Sequence, residues 1–425
     1  MIKRGIESPI SDLFGINLIG YFGADTGLGV TARAYAEALR RHGIPFAVVN
    51  VADRRDKQHT NDEWNAHYAK SKSEVSHPIN LYILHSDFRP ILEANPWLLS
   101  PGRMQVAMLW WETTALPQTW IPFLSTLDVI AACTPFIANV VANHLPLVPV
   151  IQIKHPLVLP SDIRPDRSRF GISDEAIVFT SGFNPNSDPA RKNPVAQVVA
   201  FRRAFPREIE DVQLLIRVHH AESGDFARRS IQAITQAAAG DPRIRLVTEP
   251  LSYHDVLSFY ASGDVFVSLH RAEGLGLGIM EAMALGKPVI ATGWSGNMGF
   301  MDYRTACPVR YRLGPAHGEH SFLKPEFLGP HALWARPLIE DAVAWMRKLH
   351  TSPDLRKRIG AAAKARIESY QEEAWGRAWV DEFAALWQTR AFLPALPGKY
   401  SSPSIQIGVG NRGKITALRS PDVER

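Results

Sequence analysis

Two glutamates, Glu273 and Glu281, bracket a glycine-rich stretch that reads His270-Arg-Ala-Glu-Gly-Leu-Gly-Leu-Gly-Ile-Met-Glu281. Their carboxylates can accept hydrogen bonds from hydroxyls at two separated points, while amides of the loop between them can hold an anion. The apolar run at 264–269 predicts a buried strand before the loop. The run at 279–285 predicts a short helix after it, stopped by Gly286 and Pro288. A strand, a loop and a helix start in that order aim unpaired N–H groups at one point, where the helix dipole also favours negative charge. Phosphate donors beside hydroxyl acceptors suit a nucleotide-sugar. The same residues also serve a plain turn, with Glu281 favoured by the positive end of a helix, so the loop alone leaves both readings open.

Other residues of the right chemistry are spread along the chain. Arg191-Lys192 follow the polar loop Gly182-Phe-Asn-Pro-Asn-Ser-Asp-Pro-Ala190 and are expected to open a helix. Cations there work against the dipole, so either an anion shared with the amides or simple solvation accounts for them. Gly27, Leu28 and Gly29 lie between an apolar run at 16–21 and a helical segment at 30–42, where amides can cradle a diphosphate. This stretch also satisfies the dinucleotide pattern G-x-G-x-x-A, with Asp53 near the end of the next predicted strand. An NAD-dependent oxidoreductase is therefore a competing reading. The six residues between Tyr21 and Leu28 are too many for that fingerprint's tight turn, and NAD gives the Glu273–Glu281 loop no task.

His85-Ser-Asp87 and Trp110-Trp-Glu112 each follow an apolar run and are expected at strand carboxyl ends. A histidine there can bond a sugar hydroxyl or move a proton, or be a satisfied structural group. Trp111 and its neighbour Trp110 can stack on a sugar face or fill a core.

Stepwise apolar runs separated by amphipathic segments imply βαβ units and parallel sheets. The rhythm runs through 16–153, breaks at the proline- and charge-rich segment 155–167, and restarts at 176–180, 212–216, 244–247, 265–268 and 288–291. A chain of 425 residues exceeds one typical core. The expectation is thus an α/β protein of two doubly wound, Rossmann-like domains facing across a cleft, with ligands at the strand carboxyl ends. The boundaries read as 1–155, 156–371, a closing helix at 372–390 and a poorly ordered tail at 391–425.

A net charge of +5 favours anionic partners, including an anionic membrane surface, and is too mild for nucleic acid. Two distant cysteines, Cys133 and Cys307, make neither a disulfide framework nor a zinc motif. No apolar run has membrane-spanning length. The reading is a cytoplasmic chain, with peripheral contact at the inner membrane face as an option. No Asp-x-Asp pair appears, and no metal is expected.

The segment from 264 to 302 resembles the retaining GT-B glycosyltransferases with the E-x7-E signature. The likeness is carried by Ser-Leu-His-Arg-Ala-Glu-Gly, by Glu273 and Glu281 with seven residues between them, by the following Ala-Met-Ala-Leu-Gly-Lys-Pro, by Arg191-Lys-Asn-Pro-Val and, loosely, by Gly27-Leu-Gly29. The resemblance implies a GT-B fold whose C-terminal domain holds a UDP- or GDP-sugar. It gives Glu281 the ribose, Glu273 the transferred sugar with the Gly274, Leu275, Gly276 and Leu277 amides assisting, and Arg191 and Lys192 the leaving diphosphate. Leu251 maps to the base contact and His85 to the N-terminal histidine; Trp111 and Glu112 are candidates on the acceptor side. It implies transfer to a saccharide or lipid-linked hydroxyl in polysaccharide or glycoconjugate synthesis. A GT-B-like binder without catalysis is the alternative. Two departures stand out. The family's Gly-Arg pair is Gly182-Phe183 here, leaving one phosphate contact missing or supplied from elsewhere, as by Arg217, and Leu275 stands where an aromatic is common.

Overall fold

The computed structural model describes residues 14–24, 26–51, 64–222 and 224–390. Asp53 and the tail expected to be poorly ordered lie outside them. The first half forms strands β1 (Ile16–Gly20), β2 (Phe46–Asn50), β3 (Ile79–Ile83), β4 (Met104–Leu109), β5 (Val129–Ala132) and β6 (Val150–Gln152), with helices α1 (Gly27–Arg41), α2 (Arg89–Ala94), α3 (Ile121–Leu124) and α4 (Pro135–His144) between them. The strands run parallel in the order β2-β1-β3-β4-β5-β6. Every residue of β1, β3, β4 and β5 is buried, as continuous apolar runs in a sheet covered on both faces require.

The second half repeats the plan. Strands β7 (Ile177–Phe183), β8 (Val212–Val218), β9 (Ile244–Val247), β10 (Val265–Ser268), β11 (Val289–Thr292) and β12 (Cys307–Val309) run parallel in the order β12-β11-β10-β7-β8-β9. Helices α5 (Pro189–Lys192), α6 (Pro194–Ala204), α7 (Gly224–Ala238), α8 (Tyr253–Ser262) and α9 (Leu277–Ala284) connect them. An antiparallel hairpin unforeseen from the sequence, β13 (Tyr311–Pro315) with β14 (Leu333–Pro337), carries the one-turn helix α10 (Pro325–Leu328) in its connection. Then follow α11 (Ile339–Thr351), α12 (Pro353–Ala374) and α13 (Ala378–Arg390).

Three boundaries differ from expectation for local reasons. Helix α1 starts at Gly27, three residues early, because the Thr26 hydroxyl caps it by accepting the Gly29 N–H. Arg191 and Lys192 do not open a helix; they end the single turn α5. Asn193 precedes a proline, which disfavours the right-handed helical conformation, and sits at φ 52° before α6 begins. The two cations therefore stand at a helix C-terminus, where the dipole favours them. The helix expected from Glu372 starts only at Ala378, since α12 runs on to Ala374 and breaks at Trp375-Gly376.

Helix α13 returns to the first domain. Trp379, Val380, Phe383 and Ala384 are buried among Phe14, Tyr35, Leu39 and Ile153, and Trp379 meets Tyr35 edge-on at 5.5 Å. The His42 ring bonds the Trp375 carbonyl at 2.6 Å, fixing the crossing. Phe383 is 0% exposed, so Phe383→Ala should cost about 3–5 kcal/mol of stability. A urea denaturation midpoint equal to wild type would show that α13 contributes no anchorage.

Candidate active site

The carboxyl ends of the two sheets face each other, and a cleft lies between them in two connected parts. One part, of about 300 Å³, is lined by Gly27, Leu28, His85, Trp110, Glu112 and Arg191 and by the loop Glu273–Leu277. The other, of about 620 Å³, runs past Arg217, Leu251, Tyr253 and Glu281. Thr26, Gly27, Asn184, Ser187, Lys192 and Leu277 line both. Of the candidate site residues named from the sequence, all but Gly29 and Trp111 line this cleft. Gly29 is corrected: it is buried in α1, its N–H is taken by the Thr26 hydroxyl, and a Cβ there would stand 2.0 Å from the Ala24 carbonyl, so it serves the packing of the turn.

Trp111 is corrected. It is 1% exposed, its indole N–H donates to the Ala115 carbonyl at 2.7 Å, and it packs edge-on against Trp120. Successive side chains of an extended segment point opposite ways, and it is Trp110 that turns to the cleft. Trp111 belongs to the core.

Glu273 is the electrostatic centre. Its carboxylate accepts from Lys192 Nζ at 2.6 Å and from Arg191 Nη1 at 3.2 Å. Burial pushes its pKa up, but Lys192, Arg191 and His270 outweigh burial and bring it down to about 2. Arg191 in turn reaches Glu112 of the opposite domain at 3.6 Å. Backbone contacts hold the cations in place: Arg191 Nη1 donates to the Ala272 carbonyl, Arg271 N to the Arg191 carbonyl, and Asn193 Nδ2 to the Leu269 carbonyl. The loops after β7 and β10 are thereby laced together.

The Glu273–Leu277 loop is pinned from both sides. Its Glu273 N–H donates to the Ser295 hydroxyl, and its Glu273 carbonyl accepts the Gly296 N–H. A Cβ on Gly296 would stand 1.9 Å from the Gly274 carbonyl, so only glycine fits there. Across the cleft, the Thr134 hydroxyl, which caps α4, donates to the Gly274 carbonyl at 3.1 Å. Gly276, at φ 88°, turns the chain into α9 with no side-chain cap, so the first amides of that helix are not claimed by one.

Glu281, one turn into α9, contrasts with Glu273. Burial raises its pKa to about 7, with Tyr253 and Arg217 offsetting only part. Among the described residues no cation stands at ion-pair distance from this buried carboxyl, which suits a ligand with hydroxyls to donate. His85 follows β3, and its ring packs at a tilt against that of Tyr21, with centroids 5.1 Å apart. Leu251 lies just before α8 and lines the larger part.

Several residues of the site were missed in the sequence. Asp188, fully buried at φ 71°, caps α5 by accepting the Arg191 N–H and also accepts the His320 N–H from the hairpin connection. An aspartate before proline is a readable cap signal, and it marks α5. Thr114, whose hydroxyl and N–H pair with Leu333 of β14 across the domains, gave no signal, because that contact depends on the hairpin. Among the described residues no three His, Cys, Asp or Glu side chains gather to hold a metal, and no helix is long and apolar enough to cross a membrane.

Comparison with known proteins agrees with this geometry. Residues 191–307, which hold Arg191, Lys192, Glu273 and Glu281, match the glycosyl transferases group 1 family. The sequence matches no curated protein. The fold is similar to that of a sucrose-phosphate synthase from Thermosynechococcus elongatus, at TM-score 0.64 and 16% identity over 88% of this chain and 100% of that one. It is also similar to a glycosyltransferase from Rickettsia africae, at 0.62 and 11% over 88% and 99%. Anabaena HepE, solved with UDP and glucose, aligns at 0.56 and 14% over 89% and 100%. The segment 191–307, which carries the Glu273–Glu281 loop and the two cations, is thus similar to the group 1 glycosyl transferases, and the chain has the GT-B fold.

Proposed function

We propose that the enzyme moves a sugar from a nucleoside diphosphate, a UDP- or GDP-sugar, to the hydroxyl of a saccharide or lipid-linked acceptor with retention of configuration. The observation that carries this reading is the pair of buried glutamates in opposite electrostatic states on one loop and helix. Glu281, without an ion partner, receives the ribose hydroxyls. Glu273, ionised between Lys192 and Arg191, faces the transferred sugar, with Gly274, Leu275, Gly276 and Leu277 supplying amides. Lys192 and Arg191 meet the charge that grows on the departing diphosphate, in the role a metal fills elsewhere. Leu251 borders the base. The presence of UDP and glucose in Anabaena HepE supports a donor of this class.

The acceptor enters beside His85 and Glu112 of the first domain. In a front-face reaction the bond between the anomeric carbon and the phosphate oxygen breaks as the acceptor oxygen bonds to the same face. The acceptor proton passes to the departing phosphate oxygen. The transition state combines a cationic sugar with an anionic diphosphate, and prearranged donors in a closed cleft stabilise both. Synthesis of a polysaccharide or glycoconjugate at the cytoplasmic face of a membrane is the setting that fits such an acceptor and the chain's basic charge.

Glu281→Ala and Lys192→Ala should each lower transfer roughly 10²- to 10³-fold while the protein remains folded. Transfer at the wild-type rate by either, measured as nucleotide release dependent on acceptor, sinks the assignment. A thermal-shift panel of UDP-, GDP- and ADP-sugars with NAD as control should show stabilisation by a sugar nucleotide, about 2.7 kcal/mol at a hundred times its Kd. Stabilisation by NAD alone would restore the dinucleotide reading.

The Glu281 shift also predicts a pH dependence. With its folded pKa at about 7 against 4.5 in the unfolded chain, the native state keeps this proton while the unfolded chain loses it, so stability falls as pH rises from 4.5 to 7. Glu281→Gln removes that decline. The stability difference, variant minus wild type, should grow from pH 5 to pH 8 by up to about 3 kcal/mol. A difference in urea midpoints that stays flat over this range would show that Glu281 ionises normally.

A further inference from the structure

Arg217 belongs to none of the motifs that identify the chain, yet it stands in the cleft with an unspent donor. It sits near the end of β8 in register with Gly182 of β7, and lines the larger part of the cleft together with Glu281. Only 9% of it is exposed, and its buried Nε–H has no hydrogen-bond partner among the described residues. Burying a guanidinium donor unpaired is costly, so the group is placed for something that arrives.

Its orientation is fixed by neighbours. Nη2 donates to His219 Nδ1 at 2.8 Å. Burial, and then Arg217 and His220, hold the His219 pKa down to about 3, so that ring stays neutral and able to accept. The Tyr260 hydroxyl, near enough to feel the guanidinium's charge, fills the space a side chain at Gly182 would take: a Cβ there would lie 2.7 Å from the hydroxyl oxygen. Glycine on β7 thus admits the tyrosine beside the arginine. The charged and titratable groups around it are Glu281, Tyr260 and His219.

We infer that Arg217 binds the phosphate next to the ribose of the donor, leaving Lys192 and Arg191 to the phosphate next to the sugar. The assignment rests on the proposed ribose site at Glu281 and deepens it. Glu281 is close enough for Arg217 to lower its pKa, whereas Glu273 is governed by Lys192 and Arg191. The two phosphates of one diphosphate would then be met by cations from two different strands, β8 and the loop after β7. Guanidinium suits the task because it offers several fixed donors to phosphate oxygens.

The test is the affinity of the intact protein for uridine, UMP and UDP, or for the guanosine series if that one stabilises the wild type. Arg217→Gln should weaken binding of the monophosphate and the diphosphate by about tenfold to a hundredfold and leave the nucleoside unchanged. Lys192→Ala should weaken the diphosphate and spare the monophosphate. Arg217→Lys, which keeps the charge, should retain part of the preference for monophosphate over nucleoside, and it serves if the glutamine variant does not fold. Equal loss for nucleoside and monophosphate, or no loss for either, overturns the role of Arg217 alone. A wild type that binds no member of either series overturns the donor reading itself.

Discussion

A carboxylate as buried as that of Glu273 stays ionised only because two cations come to it. An isolated buried charge costs several kcal/mol, and removing one partner of such a cluster leaves the other uncompensated. Lys192 and Arg191 reach Glu273 only if the loop after β7 lies against the loop after β10, and Arg191 completes its surroundings only when Glu112 approaches from the other domain. The requirement propagates outward. Asn193 breaks the helix so that both cations turn inward, Asp188 caps the turn that carries them, and Ser295 and Gly296 hold the opposite loop.

The two glutamates show how one fold gives identical side chains different work. They lie on the same short stretch and both are buried, yet one is held near 2 and the other near 7. The difference is only which cations the surrounding strands deliver. Environments that push like groups apart in this way mark the division of labour in a site.

Much of this was legible in the sequence. Continuous apolar runs gave the parallel strands because both faces of each sheet are covered, and the break at 155–167 separated two repeats. The glycine loop between Glu273 and Glu281 was readable because its conformation demands those residues. What failed did so for local reasons that composition does not carry. Trp110 and Trp111 are adjacent and chemically equal, and only the parity of the extended chain decides which faces the cleft. Arg191 and Lys192 end a turn instead of starting a helix because Pro194 drives Asn193 out of the right-handed helical conformation, an effect that the charge pattern alone does not show. The hairpin of β13 and β14 has a connection too long for a turn signal to announce it.

The chain crosses between the domains twice, once after β6 and once between α12 and α13. These crossings lie side by side: Leu157 N donates to Gln371 at 2.7 Å, and His155 N to the Tyr370 hydroxyl at 3.1 Å. Two adjacent tethers act as the pins of a door and leave rotation about one axis as the easy motion. Swinging on that axis moves the tethered edge little and the far edge most. The Thr134–Gly274 and Glu112–Arg191 contacts, which bridge the cleft itself, are the ones such a swing would part.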